Sequence, residues 1–67
     1  MRIKELRKSR HISQLKLAMD LNMAQNTISR YETGEREPGI RELIRFADYF
    51  HVSVDYLIGR TDDPTMH

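Results

Sequence analysis

The 67-residue chain has no cysteine, only three glycines and only two prolines. Without cysteine there is neither a disulfide framework nor a thiolate metal site, so a single domain of this size must be held by helix packing or by self-association. So few glycines leave no loop to cradle a phosphate, and no nucleophile is paired with a base. The three histidines, His11, His51 and His67, show no H-x-x-x-H spacing and no acidic cluster around them, so no metal site is expected. An enzyme, a cofactor and a small-molecule ligand are therefore not expected. No apolar run is long enough to span a bilayer, and the N-terminus lacks the apolar segment of a signal peptide, which points to a cytoplasmic protein with no membrane partner.

Neither sign of charge prevails. Eleven Lys and Arg face ten Asp and Glu, for a net charge of +1, and the pI near 8.2 lies below the range typical of nucleic-acid binders. The distribution is uneven. Residues 1–12 carry Arg2, Lys4, Arg7, Lys8 and Arg10 against Glu5, a net +4, while residues 48–67 carry Arg60 against Asp48, Asp55, Asp62 and Asp63, a net −3. Such polarity can orient a small protein on a polyanion, although an ordinary mixed-charge surface gives the same totals.

What the chain does contain is centred on residues 13–32, SQLKLAMDLNMAQNTISRYE. Ser13 is suited to cap a helix that runs to about Leu21 with Leu17, Ala18 and Leu21 on one face. Ala18 is small enough to let a second helix cross closely. Asn22 tolerates the left-handed backbone that a helix end commonly needs. A second helix is expected from Gln25 to Thr33, with Ala24, Ile28, Tyr31 and Glu32 facing one way and Asn26, Ser29, Arg30 and Thr33 the other. Gln25 stands at its exposed first turn. Two short helices with so brief a connection form a helix-turn-helix, whose expected partner is DNA. Amides match adenine and the guanidinium matches guanine, yet a polar outer face is equally what any solvated amphipathic helix presents.

The rest of the chain supplies helices around this pair. A first helix spans Arg2 to about Arg10, with Ile3, Leu6, Arg7 and Arg10 on one stripe. Arg7 and Glu32 both face inward and are candidates for one ion pair. Ile12 is expected in the core beside Leu17, and His11 and His51 are expected in left-handed conformation after helices. Gly34 is expected to end the second helix of the pair. Arg36 is a phosphate candidate weakened by Glu35 and Glu37. A fourth helix, about Ile40 to Phe50, is expected to turn Ile40, Leu43, Ile44, Ala47 and Phe50 inward and Arg41, Arg45 and Asp48 outward. A short fifth runs from its cap, Ser53, to Gly59. Residues 60–67 form a polar tail, expected to be mobile, and Leu15 with Met19 form a small apolar stripe on the outside.

Residues 3–59 resemble the Cro and phage-repressor type of helix-turn-helix domain, the XRE family, through S-Q-x-x-L-A at 13–18, I-S-R-Y-E-x-G at 28–34 and the following Pro38. The resemblance implies an all-α, five-helix lambda-repressor-like bundle over residues 1–59 that binds double-stranded DNA as a transcriptional regulator, usually a repressor. It implies a recognition helix in the major groove, with Gln25, Asn26, Ser29 and Arg30 at the base-contacting positions. Gln14 takes the phosphate-contacting position, and Thr27, Thr33 and Arg36 are further phosphate candidates. It also implies the Arg7–Glu32 pairing. A homodimer through Val52, Tyr56, Leu57 and Ile58 would sit on a two-fold symmetric operator. Two positions depart from the family: Ala24 stands where Ser or Thr is usual, at a cost of about 1 kcal/mol for the missing cap, and Asn22 where Gly is usual. The rival reading is a protein-interaction module, antitoxin-like or adaptor, on the same fold, against which the polar row Gln25, Asn26 and Arg30 argues.

Overall fold

The computed structural model describes residues 1–65; Met66 and His67, the end of the expected tail, lie outside the described residues. Five helices follow one another: α1 (Ile3–Ser9), α2 (Gln14–Leu21), α3 (Gln25–Thr33), α4 (Ile40–Phe50) and α5 (Val54–Ile58). Among the described residues there is no strand. None of these helices is long and apolar enough to cross a membrane.

The helices begin and end where side chains and backbone can close them. Ser13 Oγ accepts from the Lys16 N–H and Ser53 Oγ from the Tyr56 N–H, each at 3.0 Å. His11, Asn22 and His51 take positive φ of 57°, 54° and 56°, so side chains that tolerate this region end α1, α2 and α4. At Asn22 the consequence is the sharp turn of the helix pair: the next amide, Met23 N–H, returns to Ala18 O at 2.8 Å.

The core holds Ile3, Leu17, Ala18, Leu21, Ile28, Tyr31, Phe46, Ala47, Phe50, Val52 and Leu57, with Leu6, Ile12, Met23 and Leu43 packed against it. Each fully buried large side chain contributes about 1.5–3 kcal/mol of transfer free energy. Ala18 of α2 is 2 % exposed, and α2 packs on α3.

The inward face of α4 differs from the expected one. Ile40 is 67 % and Ile44 47 % exposed, whereas Phe46, absent from the expected stripe, is fully buried. The helix is rotated so that Leu43, Phe46, Ala47 and Phe50 face the bundle. Phe46 meets Tyr31 of α3 edge-on, with ring centroids 5.9 Å apart at 83°, and such a pair adds to its burial.

Three arginines, Arg45 expected outside, Arg10 expected on the first helix's stripe, and Arg2, act as straps. Arg45 donates to Leu21 O at the end of α2, and Arg10 to Phe50 O at the end of α4 while lying over the Phe50 ring. Both satisfy carbonyls that helix ends leave open. Arg2 donates to Tyr56 O at 2.8 Å, to Thr61 O at 3.2 Å and to Asp62 at 2.8 Å. The Ser53 N–H reaches Pro64 O at 3.1 Å. Hydrogen bonds thus tie the expected tail to the body as far as Pro64.

Candidate nucleic-acid interface

α3 has its apolar side fixed in the core by Ile28, fully buried, and Tyr31, 6 % exposed. With that side fixed, the opposite one faces solvent. Gln25, Asn26 and Arg30 are exposed and Ser29 is half-buried at the base of the row. Gln14, at the first position of α2, joins Gln25, Asn26 and Ser29 around one shallow depression. The structure therefore brings together one expected phosphate contact and three of the four expected base contacts, with Arg30 one turn farther along α3.

The remaining phosphate candidates are scattered. Thr27 is half-buried. Thr33 Oγ1 donates to Arg30 O at 3.1 Å and accepts from the Glu35 N–H at 3.4 Å, so its hydroxyl closes the end of the helix. The Arg36 N–H also returns to Arg30 O, at 3.3 Å, which leaves its exposed side chain beside exposed Glu35 and Glu37.

Arg7 and Glu32 meet between α1 and α3. Arg7 Nε donates to Glu32 Oε2 at 2.7 Å and Nη2 to Oε1 at 3.1 Å, a two-pronged contact with side chains 11 % and 2 % exposed. Arg7 Nη1 donates to Ile12 O at 3.0 Å, and Gln14 Nε2 donates to Glu32 Oε1 at 3.0 Å. Burial alone would push the Glu32 carboxyl up, but the hydrogen bonds from Arg7 and Gln14, together with the Arg7 charge, outweigh it and hold the carboxyl below its ordinary range. Among the described residues no buried side-chain nitrogen or oxygen lacks a partner. The Gln14–Glu32 bond joins residues on different helices, and no periodicity in the sequence signals it.

Two of the expected dimer residues are already used within the protomer. Leu57 is fully buried, because a helix as short as α5 must spend its apolar side on its own core, and Val52, in the link between α4 and α5, is 4 % exposed. Tyr56 is half-buried with the Arg2 guanidinium 4.3 Å from its ring centre, and Ile58 is 37 % exposed.

Ala24, expected on the inner face, is exposed because it precedes the helix as its cap residue (φ −70°, ψ 140°), and it offers no side-chain cap. Ala24→Ser is therefore expected to stabilise the fold by about 1 kcal/mol, read as a rise of about 4–8 °C in Tm by thermal unfolding. An unchanged or lower Tm would show that the first turn of α3 gains nothing from a hydroxyl.

The geometry has counterparts among known proteins. The HTH-type transcriptional regulator YobD of Bacillus subtilis, itself uncharacterized, is 35 % identical over 63 residues, covering 94 % of this chain and 56 % of the relative. ImmR of Bacillus subtilis, an HTH-type transcriptional regulator, is 34 % identical over 61 residues, 91 % of this chain and 48 % of the relative. RstR of Vibrio cholerae, a cryptic phage CTXphi transcriptional repressor, is 33 % identical over 59 residues, 88 % of this chain and 53 % of the relative. The chain thus spans about half the length of these relatives. No solved structure is significantly similar to it. The profile of the helix-turn-helix family matches residues 3–57, from the first residue of α1 to Leu57 of α5, and with α2 and α3 joined through a left-handed Asn22, the chain belongs to that family.

Proposed function

We propose that this chain is a cytoplasmic, sequence-specific DNA-binding transcriptional regulator that represses by occupying its operator. The observation that carries the reading is the exposed row Gln25, Asn26 and Arg30 on a helix whose other face is locked in the core. A rigid helix with protruding amide and guanidinium groups suits the major groove. The repressor assignment is supported by RstR, whose name records that role. A binding assay over a salt series tests the reading against an interaction module of the same fold, because affinity for DNA should fall steeply as salt rises.

Within the row the roles divide by position. Gln25 and Asn26, in the first turn, suit adenine, and Arg30 suits guanine through its two acceptors, each good pair giving about 1–3 kcal/mol of discrimination. Gln14 grips the backbone and carries no base information. Arg30→Ala should relax preference at one position per half-site in selection from a random DNA library, while Gln14→Ala should weaken all sequences about equally. If Arg30→Ala lowers affinity uniformly and leaves the selected motif intact, Arg30 contacts phosphate and its base-reading role is wrong.

A single α3 reads too few base pairs for useful specificity, so two copies should bind a two-fold symmetric operator with half-sites about one helical turn, roughly 34 Å, apart. A protomer of 29 × 23 × 18 Å suits that spacing. With Val52 and Leu57 committed to the core, the contact falls to Ile58 and the exposed edge of Tyr56, beside the groove lined by Ile44 and Val54. Ile58→Glu should abolish cooperative filling of the two half-sites in a footprinting titration. Protection of one half-site, without two-fold symmetry in the selected sequence, would end the dimer proposal.

A further inference from the structure

The Glu32 carboxylate accepts three hydrogen bonds, two from Arg7 and one from Gln14 Nε2. The guanidinium already neutralises it, so the third bond is not needed for charge balance. That bond comes from the residue that opens α2 and borders the same depression as Gln25, Asn26 and Ser29. A carboxylate can only accept, so it fixes which side of the Gln14 amide faces it: the NH2 group, never the carbonyl. The amide is held in one of its two flip states, and one N–H of that nitrogen is spent on Glu32. A phosphate oxygen is also only an acceptor, so the group with which the Gln14 side chain can meet it is the second N–H. A side chain held this way before binding loses less conformational freedom when DNA arrives than an unrestrained glutamine would.

Resting on the reading of Gln14 as a DNA-backbone contact, we propose that Glu32 is a positioning residue for DNA binding, which orients the Gln14 amide so that its second N–H faces the phosphate. The buried pair then has two tasks. Arg7 keeps Glu32 ionised and in place, and Glu32 transmits that fixed position from α3 to the first residue of α2.

The test measures how much Gln14→Ala weakens binding to the duplex recovered by library selection, in the wild-type chain and in the Arg7→Met/Glu32→Met background. Replacing both members of the pair by apolar groups avoids a lone buried charge. In the wild-type background Gln14→Ala should cost about tenfold in affinity, the order expected for a hydrogen bond to a charged group. In the apolar background it should cost much less, because the amide there is already unrestrained. An equal loss in both backgrounds overturns the proposal while leaving the Gln14 contact standing; no loss in the wild-type background overturns the contact reading and the proposal with it. Side-chain amide NMR of the free wild-type chain gives an answer even if the double variant does not fold. One Gln14 amide proton should be displaced downfield and protected from solvent exchange relative to the exposed Gln25 amide, and Gln14 protons indistinguishable from those of Gln25 overturn the proposal.

Discussion

Glu32→Met is expected to destabilise the domain by about 3–5 kcal/mol, because it strands the Arg7 guanidinium, 11 % exposed, without its carboxylate. The loss is large for this chain: at about 0.05–0.15 kcal/mol per residue, its whole stability is roughly 3–10 kcal/mol. Arg7→Met should be of similar severity near neutral pH, since it leaves a carboxylate only 2 % exposed. The double variant should cost much less than the sum, because two thioether chains of comparable length need no partner. Denaturant midpoints for the four chains check this, and strict additivity would remove the pair from any structural role. A double variant that folds where a single one does not is itself non-additive.

Acid separates the two single variants. In the wild-type fold the Glu32 carboxyl titrates below its ordinary range, so it contributes stability above the unfolded value of about 4.3, and that contribution is lost as pH falls through the lower folded value. In Arg7→Met the largest opposing influence, burial, is left with less to offset it, and the Glu32 carboxyl should titrate higher. The cost of Arg7→Met should therefore shrink as the solution is acidified, because protonation removes the stranded charge. Glu32→Met strands a guanidinium that stays protonated at every accessible pH, so its cost shrinks only at lower pH, where the wild-type carboxylate itself loses its contribution. Stability curves that run parallel from pH 7 to pH 3.5 for the two single variants would contradict this assignment.

The features that were legible in the sequence are those set by near neighbours. The Ser13 and Ser53 caps, the left-handed Asn22, His11 and His51, and the limits of α3 each depend on a residue and a few positions around it. The orientation of α4 was not legible. Its apolar residues from Phe46 round to Ile44 cover an arc of roughly 160°, wider than the contact a small bundle provides. Ile40, Leu43, Ile44, Ala47 and Phe50 fit a helical stripe as well as Leu43, Phe46, Ala47 and Phe50 do, and only the shape of the surrounding helices chooses between them. Val52 and Leu57 present the same ambiguity, since an apolar residue near a chain end reads equally as core or as interface. In the polar row, the sequence identified the residue types and the helix that carries them. The Gln14–Glu32 link lay beyond it, because that link depends on where two helices cross.

Phe46→Ala should be among the most damaging core truncations in α4, at about 3–5 kcal/mol, and Ile40→Ala one of the mildest changes, within about 0.5 kcal/mol. The contrast follows from exposure, with Phe46 fully buried and Ile40 67 % exposed. The expected sequence stripe ranks them the other way, so the pair decides the rotation of α4 directly. Phe46 carries a further consequence because its ring lies edge-on to Tyr31, one of the two side chains that fix α3 in the core. A cavity there loosens the side of α3 opposite to Gln25, Asn26 and Arg30. Phe46→Ala should therefore weaken DNA binding even at a temperature where most molecules stay folded, whereas Ile40→Ala, at an exposed position, should leave affinity unchanged. Chemical unfolding and a DNA titration of both variants are enough. If Ile40→Ala proves the more destabilising, α4 packs on the stripe of Ile40, Ile44 and Ala47, and the aromatic link from α4 to α3 does not exist.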